Sequence, residues 1–84
     1  MNITGEELIL ACSAIGAGIA VCSGIGTGIG QGIAAGYAAS AVSRNPGAKS
    51  DITTTLLLGD AVAETSAIYG LLISILLLFV KPLV

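Results

Sequence analysis

Residues 8 to 43 form an apolar stretch without a single charged side chain. A second stretch, residues 52 to 80, contains only Asp60 and Glu64 as charged residues. Each stretch exceeds the roughly 20 residues with which a helix crosses a bilayer. Only 10% of the 84 residues are charged, whereas a soluble domain uses about 25% to cover its surface. The sequence therefore predicts an all-α membrane protein, a hairpin of two transmembrane helices.

A short polar segment between the two stretches predicts the turn of this hairpin. Pro46 disfavours helix at Asn45, and Ser50 or Asp51 can cap the helix that follows. The predicted single domain, 1–84, divides into helix 1 (about 5–43), a loop (about 44–50) and helix 2 (about 51–80). At 1.5 Å per residue helix 1 is about 55 Å long, well beyond a hydrocarbon core of about 30 Å. We therefore expect the hairpin to project from the membrane on the loop side.

The few charged residues outside the helices indicate the orientation. Arg44 and Lys49, two of the three basic residues, flank the turn, and the positive-inside bias places it in the cytoplasm with both termini outside. Lys81 near the C-terminus is the third. A signal peptide would begin with basic residues, whereas Glu6 and Glu7 precede the first apolar stretch, so we expect the N-terminus to be retained.

Several other functions are excluded by what the sequence lacks. A net charge of -2 without a basic patch excludes nucleic acid as a partner. A GxGxxG fingerprint that starts at Gly24 fails at Ile29, and no P-loop Lys follows, so phosphate binding is rejected. Cys12 and Cys22 have no His to complete a metal site, and we expect them to pack as small apolar residues.

Alternate glycines in helix 1, Gly24 to Gly32, predict close packing between identical chains. Two residues correspond to a rotation of about 200° on a helix, so alternate glycines lie on opposite flanks. Two stripes spaced by four result: Gly16, Ala20, Gly24, Gly28, Gly32, Gly36 and Gly18, Cys22, Gly26, Gly30, Ala34, Ala38. Small residues on both flanks allow a close neighbour on each side. Identical chains joined flank to opposite flank close into a ring if the rotation permits.

The intramembrane carboxylate of Glu64 is the main candidate for function. If the turn is centred between Gly47 and Ala48, then Glu64 and Gln31 lie at equal depth. A charge at that depth costs on the order of 3 kcal/mol, so Glu64 must be protonated, paired or bound to a cation. This chain has no basic residue at the same depth, which leaves a proton or a metal cation unless a partner supplies positive charge.

Several oxygen donors surround Glu64 in the sequence: the Gln31 amide and the hydroxyls of Thr65, Ser66 and Tyr69. Oxygen ligands suit hard cations, and a single carboxylate favours Na+ over a divalent ion. On the helix, however, Thr65, Tyr69 and the backbone of Val62 point about 100 to 160° away from Glu64. In a ring they would face the Glu64 of the adjacent chain, so we expect the site to form between subunits.

Simpler roles remain open for these neighbours. Thr65 or Ser66 can bond back to a helix carbonyl, Tyr69 can be a packing residue, and Gln31 can join the two helices. Asp60 lies one turn nearer the loop and can be a hydrated ion entrance, a second ion contact or a neutral carboxylate. We favour the entrance.

The sequence resembles the ring-forming c subunit of the rotary F-type ATP synthase over essentially its whole length. The resemblance is carried by GIGTGIGQG at 24–32, RNP at 44–46, VAETS at 62–66 and IYGL at 68–71. It implies a homo-oligomeric rotor ring in the plasma membrane of a bacterium, surrounded by membrane lipids. It also implies that Glu64 carries the ion past a stator a subunit that bears an Arg. Ion flow would drive ATP synthesis, or hydrolysis would pump ions, and the chain itself would perform no bond chemistry.

The resemblance also implies a role for individual residues. Among relatives that carry Na+, the matching positions are Gln31 and Glu64 of one chain with the Val62 carbonyl and the Thr65 hydroxyl of the next. Tyr69 would orient the carboxylate and Ser66 would lie near a bound water. The loop residues Arg44, Asn45 and Pro46 would contact the central stalk.

Three hypotheses follow from these residues and patterns. The leading one is a Na+-translocating rotor ring. The alternative within the same family is a ring that carries only H+, in which the extra oxygens hold a protonated Glu64. From a different class, the chain could be a structural or regulatory membrane oligomer that carries no ion. An enzyme is the weakest option because no nucleophile and base lie together.

Overall fold

The computed structural model describes residues 2–84 and shows a long helical hairpin. Its helices are α1 (Gly5–Val21), α2 (Ser23–Arg44) and α3 (Lys49–Ile75), with a 3-10 turn at Pro46–Ala48 and a π-helical end at Leu76–Val80. The hairpin measures 66 × 21 × 11 Å. Its two arms, Gly5–Arg44 and Pro46–Val80, are both long and apolar enough to cross a membrane. The predicted all-α hairpin of two helices is confirmed.

The first arm begins with a capping box that the residues Thr4 to Glu7 encode. The Thr4 hydroxyl accepts a hydrogen bond from the Glu7 backbone N–H at 3.1 Å, and the Thr4 N–H donates to the Glu7 carboxylate at 3.3 Å. Two backbone donors of the first turn are satisfied in this way. The arm therefore starts at Gly5, and its acidic first turn lies where the helix dipole favours negative charge.

The first arm is interrupted at Cys22, which the sequence does not predict. The Cys22 N–H donates to the Ile19 carbonyl at 3.1 Å, and the Ile25 N–H donates to the Cys22 carbonyl at 3.0 Å. Both bonds span three residues instead of four, so the helix tightens locally between α1 and α2. The predicted continuous helix over 5–43 is thus two helical segments that end at Arg44.

The turn is shorter than predicted, and its capping differs. Asn45 alone leaves the helical conformation, with φ −142° and ψ 71°, and the turn at Pro46–Ala48 leads directly into α3. The residue before α3 is Ala48, and no side chain caps the helix. The prediction that Ser50 or Asp51 caps α3 is wrong, because both residues already lie in its first turn.

The second arm ends in a wide turn. The Lys81 N–H donates to the Leu76 carbonyl at 2.8 Å, a bond that spans five residues. Lys81 itself is left-handed, with φ 55°, as is common for the residue that follows a helix. Pro82 disfavours helical backbone at Lys81, so the helix ends at Val80.

The two arms pack along a seam of small side chains. On the first arm the seam includes ten positions that alternate in spacing between three and four: Leu10, Ser13, Ala17, Ala20, Gly24, Thr27, Gln31, Ala34, Ala38 and Ala41. An average spacing of 3.5 residues is typical of nearly parallel or antiparallel helices packed side by side. Ala17 is the most buried of these, at 2% exposure.

This seam uses part of each glycine stripe within the hairpin. A stripe spaced by four residues drifts by about 40° per turn, so it crosses the seam instead of following one flank. The glycine stripes predict that Gly24 packs against a neighbouring chain, but it is half-buried within the hairpin. A Cβ added at Gly24 would lie 4.0 Å from the Ala67 Cβ. A Cβ added at Gly26, Gly28, Gly30 or Gly32 would meet nothing within 4 Å. Ring packing through these four glycines stays a prediction.

Two serines join the arms on the side of the chain termini. The Ser74 hydroxyl, 5% exposed, donates to the Ala17 carbonyl at 2.6 Å and the Gly70 carbonyl at 3.0 Å. The Ser23 hydroxyl donates to the Ala67 carbonyl at 3.3 Å. Hydrogen bonds of this kind between membrane helices contribute about 0.6 kcal/mol each on average. They also resist sliding of one helix along the other.

A candidate cation site between the two arms

Gln31 and Glu64 meet between α2 and α3. The Gln31 side-chain nitrogen Nε2 donates to the Glu64 carboxylate oxygen Oε2 at 2.7 Å and to the backbone carbonyl of Asp60 at 2.9 Å. Turn symmetry predicts that Gln31 and Glu64 lie at equal depth, and the structure shows that they are also hydrogen-bonded. The bond to the Asp60 carbonyl is an addition, which the two N–H groups of an amide make possible.

The local geometry explains how one amide reaches both acceptors. Gln31 is a seam residue and half-buried, so its side chain points toward α3. Asp60 and Glu64 are four residues apart on α3, and a backbone carbonyl in a helix points toward the residue four positions later. The Asp60 carbonyl oxygen and the Glu64 carboxylate therefore lie close enough together for the one side-chain nitrogen of Gln31 to donate to both. Since both of its N–H groups are used, the amide group has a fixed position next to the carboxylate.

The hairpin is open at this level. Every residue from 61 to 66 is exposed, whereas Asp60 and Ala67 on either side are half-buried against the other arm. Within residues 2–84, Glu64 makes one side-chain hydrogen bond, to Gln31. An exposed carboxylate at the centre of an apolar helix has no water to solvate it in a bilayer, so something outside this chain must complete its surroundings.

The other predicted site residues do not contact Glu64 of their own chain. Thr65 and Ser66 are exposed, and so are Val62 and Tyr69, at 68% and 65%. No hydrogen bond joins any of these side chains to Glu64 within the described part of the chain. This placement agrees with the helical angles, which turn these residues away from their own Glu64. Their role as ligands of an adjacent chain stays a prediction.

Asp60 lies at one end of a groove between α2 and α3. The groove has a volume of about 530 Å³ and extends to Asp51 near the turn; Ala34, Ala38, Ile52 and Leu56 are among the side chains that line it. Asp60 is half-buried and faces the first arm, whereas Glu64 is exposed. The two carboxylates therefore share a side of α3 but have different surroundings.

The predicted partner contacts Arg44, Asn45 and Pro46 form the tip of the hairpin. All three residues are exposed. The Arg44 Nη2 donates to the Ser40 hydroxyl at 3.1 Å, one turn back on α2, and its charge lies near the C-terminal end of that helix, where a cation is favoured. The tip thus presents a basic side chain on a rigid turn.

These contacts define what the site can do chemically. Glu64 offers a carboxyl group that accepts a hydrogen bond from the Gln31 N–H and keeps a second oxygen available as a ligand. The amide oxygen of Gln31 has no hydrogen-bond partner among residues 2–84 and is free to act as a ligand. Two oxygen ligands are too few for a hard cation. Gln31 and Glu64 of a single chain therefore supply too few ligands to hold a cation on their own.

Comparisons with known proteins give one consistent result. The sequence profile of the ATP synthase c-subunit family matches residues 15–77. An ATP synthase c subunit from Clostridioides difficile is 71% identical over 75 residues, 89% of this chain and 87% of that protein. The c subunit of Alkaliphilus oremlandii is 63% identical over 99% of this chain and 94% of its own length. The c subunit of Lachnoclostridium phytofermentans is 60% identical over 96% of this chain and 94% of its own length.

Proposed function

Because the chain belongs to the family of ATP synthase c subunits, non-catalytic membrane subunits of the bacterial ATP synthase, we propose that it carries Na+ in a rotor ring. The predicted family resemblance is confirmed by these matches. In the proposed cycle Glu64 takes up Na+ from one side of the membrane. Rotation of the ring moves the occupied site through the bilayer and releases the ion to the other side.

The observation that carries the proposal is the contact between Gln31 and Glu64 at mid-helix. The Gln31 amide donates one hydrogen bond to the Glu64 carboxylate and one to the Asp60 carbonyl. The amide oxygen of Gln31 and the second carboxylate oxygen of Glu64 are then available to a cation. Carboxylate and neutral oxygens are the ligands preferred by hard cations. Proton carriage needs only the carboxylate, so the positioned amide favours Na+.

An adjacent chain would complete the site. The exposed carbonyl side of Val62 and the Thr65 hydroxyl lie on the part of α3 that is turned away from its own Glu64. In a ring they can approach the Glu64 of the next chain, while Tyr69 orients that carboxylate and Ser66 holds a water. Ion binding and ring formation then depend on one another.

The remaining surfaces have proposed partners as well. The tip at Arg44, Asn45 and Pro46 would lie in the cytoplasm, with both termini outside, and contact the central stalk. Glu64 would pass the Arg of the stator a subunit once per turn, and that charge would displace the cation. Asp60, at the inner end of the groove that starts near the turn, would attract cations at the entrance.

The assembly step can be tested at Gly28. Replacing Gly28 by Leu is expected to abolish the ring, because a Cβ added there meets open space in the single chain but would separate two closely packed helices. The matched control is Ile29→Leu, an exposed position that already has a large side chain. Ring yield is measured by native mass spectrometry. Stable rings of the Gly28→Leu protein would contradict the proposed packing.

The identity of the ion can be tested by chemical labelling. A hydrophobic carbodiimide attacks protonated carboxyl groups, so bound Na+ should protect Glu64. We expect purified rings to lose Glu64 labelling when Na+ is added and to keep it when K+ is added at the same concentration and pH. If the extent of Glu64 labelling is the same with and without Na+ at every pH, the proposal that the ring carries Na+ is wrong, and a ring that carries only H+ is favoured.

A further inference from the structure

We propose that the contact between Gly70 and Ser23 positions the cation site by fixing the register of α3 against the first arm. The inference rests on the proposed function, since it concerns the alignment of Glu64 with Gln31. It adds two positioning residues that touch no cation themselves. Both lie nearer to the chain termini than the site does.

Gly70 is the glycine at which the two arms lie closest together. A Cβ added at Gly70 would overlap the Ser23 hydroxyl and the Ala20 carbonyl oxygen, and it would lie 2.7 Å from the Ser23 Cβ. Of the twelve glycines, no other has a neighbour closer than 3.4 Å to such an added Cβ within residues 2–84. The absence of a side chain at Gly70 is therefore what lets the first arm lie at this position on α3.

Ser23 makes two contacts with α3 at this level. Its side chain lies against Gly70, and its hydroxyl donates to the Ala67 carbonyl at 3.3 Å. Gly70 and Ala67 are three residues apart and lie on one side of α3. Sliding of α3 would therefore break the hydrogen bond or force the Ser23 side chain out of the space above Gly70.

The irregular turn at Cys22 places the first arm in this contact. The two residues that meet Gly70 are Ala20 and Ser23, which lie on either side of Cys22 within the segment where backbone bonds span three residues. A regular helix would present these two positions differently, because three-residue bonds tighten the winding. The interruption of the first arm at Cys22 therefore lies at the same level as Gly70, the position at which α3 has no side chain.

The register fixed here bears directly on the cation site. Glu64 is six residues from Gly70 on a continuous helix, about 9 Å along its axis. A slip of one residue moves the carboxylate by about 1.5 Å, which is large compared with the 2.7 Å bond from Gln31. Because Gln31 also holds the Asp60 carbonyl, such a slip would require it to release one of its two acceptors.

The experiment measures register and ion binding in the same variants. Gly70→Ala introduces the overlap, and Gly70→Ala with Ser23→Gly removes the part of it that involves Ser23 but keeps the part that involves the Ala20 carbonyl oxygen. Gly59→Ala is the matched control on α3, because a Cβ added there meets nothing within 4 Å. The Na+ concentration that protects half of Glu64 from carbodiimide reports on the site.

Register is read independently by an intramolecular disulfide. Gly24→Cys and Ala67→Cys form the pair, since their Cβ atoms would lie 4.0 Å apart, within the range of disulfides. Cys12→Ser and Cys22→Ser remove the native thiols. The disulfide forms within one hairpin, so it can be measured in membranes whether or not a variant assembles into rings.

We expect Gly70→Ala to lower the disulfide yield and to raise the half-protecting Na+ concentration about tenfold or more, because small misplacements of a binding group are costly. Adding Ser23→Gly should bring both values only part of the way back, because the overlap with the Ala20 carbonyl oxygen persists, and Gly59→Ala should change neither. An unchanged disulfide yield in Gly70→Ala would overturn the proposal. A lowered disulfide yield with an unchanged half-protecting Na+ concentration would also overturn it, because a change of register would then have no effect on cation binding.

Failure of the proposed function would look different. If Na+ does not protect Glu64 in the unaltered ring, Na+ carriage is wrong. The register proposal is then decided by the disulfide alone: a yield that falls with Gly70→Ala and recovers in part with Ser23→Gly supports it, and a yield that does not fall with Gly70→Ala refutes it.

Discussion

Replacing Glu64 by Gln is expected to abolish cation transport by the assembled ATP synthase. The amide keeps the size of the side chain but loses the charge that neutralises a bound cation. An uncompensated charge at mid-bilayer costs about 3 kcal/mol, so cation binding should weaken about 100-fold or more. The measurement is ATP-driven ion uptake into liposomes that contain the complex.

The control for this variant is Glu6→Gln. Glu6 is exposed in the first turn of α1, so the same chemical change there should leave transport unaltered. Ring yield is compared in both variants to separate transport from assembly. Normal transport by the Glu64→Gln complex would contradict an ion-carrying Glu64 and favour a structural or regulatory oligomer.

Replacing Gln31 by Ala should have the second largest effect. The variant loses the 2.7 Å hydrogen bond to Glu64, the bond to the Asp60 carbonyl and one proposed oxygen ligand. Because the site loses an oxygen ligand and the group that positions the carboxylate, the Na+ concentration for half-protection of Glu64 should rise about 10- to 100-fold, equivalent to about 1.4 to 2.8 kcal/mol. Carbodiimide labelling of purified rings over a series of Na+ concentrations measures this shift.

Thr27→Ala provides the matched control for Gln31. Thr27 lies one turn earlier on the same seam and is half-buried, but its hydroxyl donates to the Gly24 carbonyl of its own helix at 3.2 Å. Its loss should change the half-protecting concentration by less than about threefold, equivalent to less than about 0.7 kcal/mol. If both variants behave alike, Gln31 acts only as a packing residue.

Much of the fold could be predicted because few physical rules govern a chain this apolar. Two apolar stretches separated by a basic, proline-containing segment allow only a hairpin of helices in a bilayer. The equal depth of Gln31 and Glu64 follows from counting residues on either side of the turn. The Thr4 to Glu7 capping box could also have been recognised, since it has the T-x-x-E pattern.

Other features depend on packing and leave little trace in the sequence. Cys22, in an unbroken run of small and apolar residues, gives no sign that the helix tightens there. The role of Gly70 depends on which residue of the other arm lies against it, and this register is known only when both helices are placed. Glycines spaced by four predicted two free flanks, but the seam of the hairpin has a period of 3.5, so Gly24 packs within its own chain.

The neighbour-dependent half of the site was predicted from helical angles alone. Val62, Thr65 and Tyr69 are exposed and turned from their own Glu64, as those angles require. Their contact with the next chain stays a prediction, because it depends on how adjacent hairpins meet.

The central claim is that this ring carries Na+, and transport by the complete enzyme tests it most directly. The purified ATP synthase that contains this chain is placed in liposomes, ATP is added, and radioactive Na+ uptake and internal pH are followed with and without a protonophore. We predict that Na+ uptake continues when the protonophore removes any proton gradient. Internal acidification without Na+ uptake, abolished by the protonophore, would contradict the claim and show that the ring carries protons.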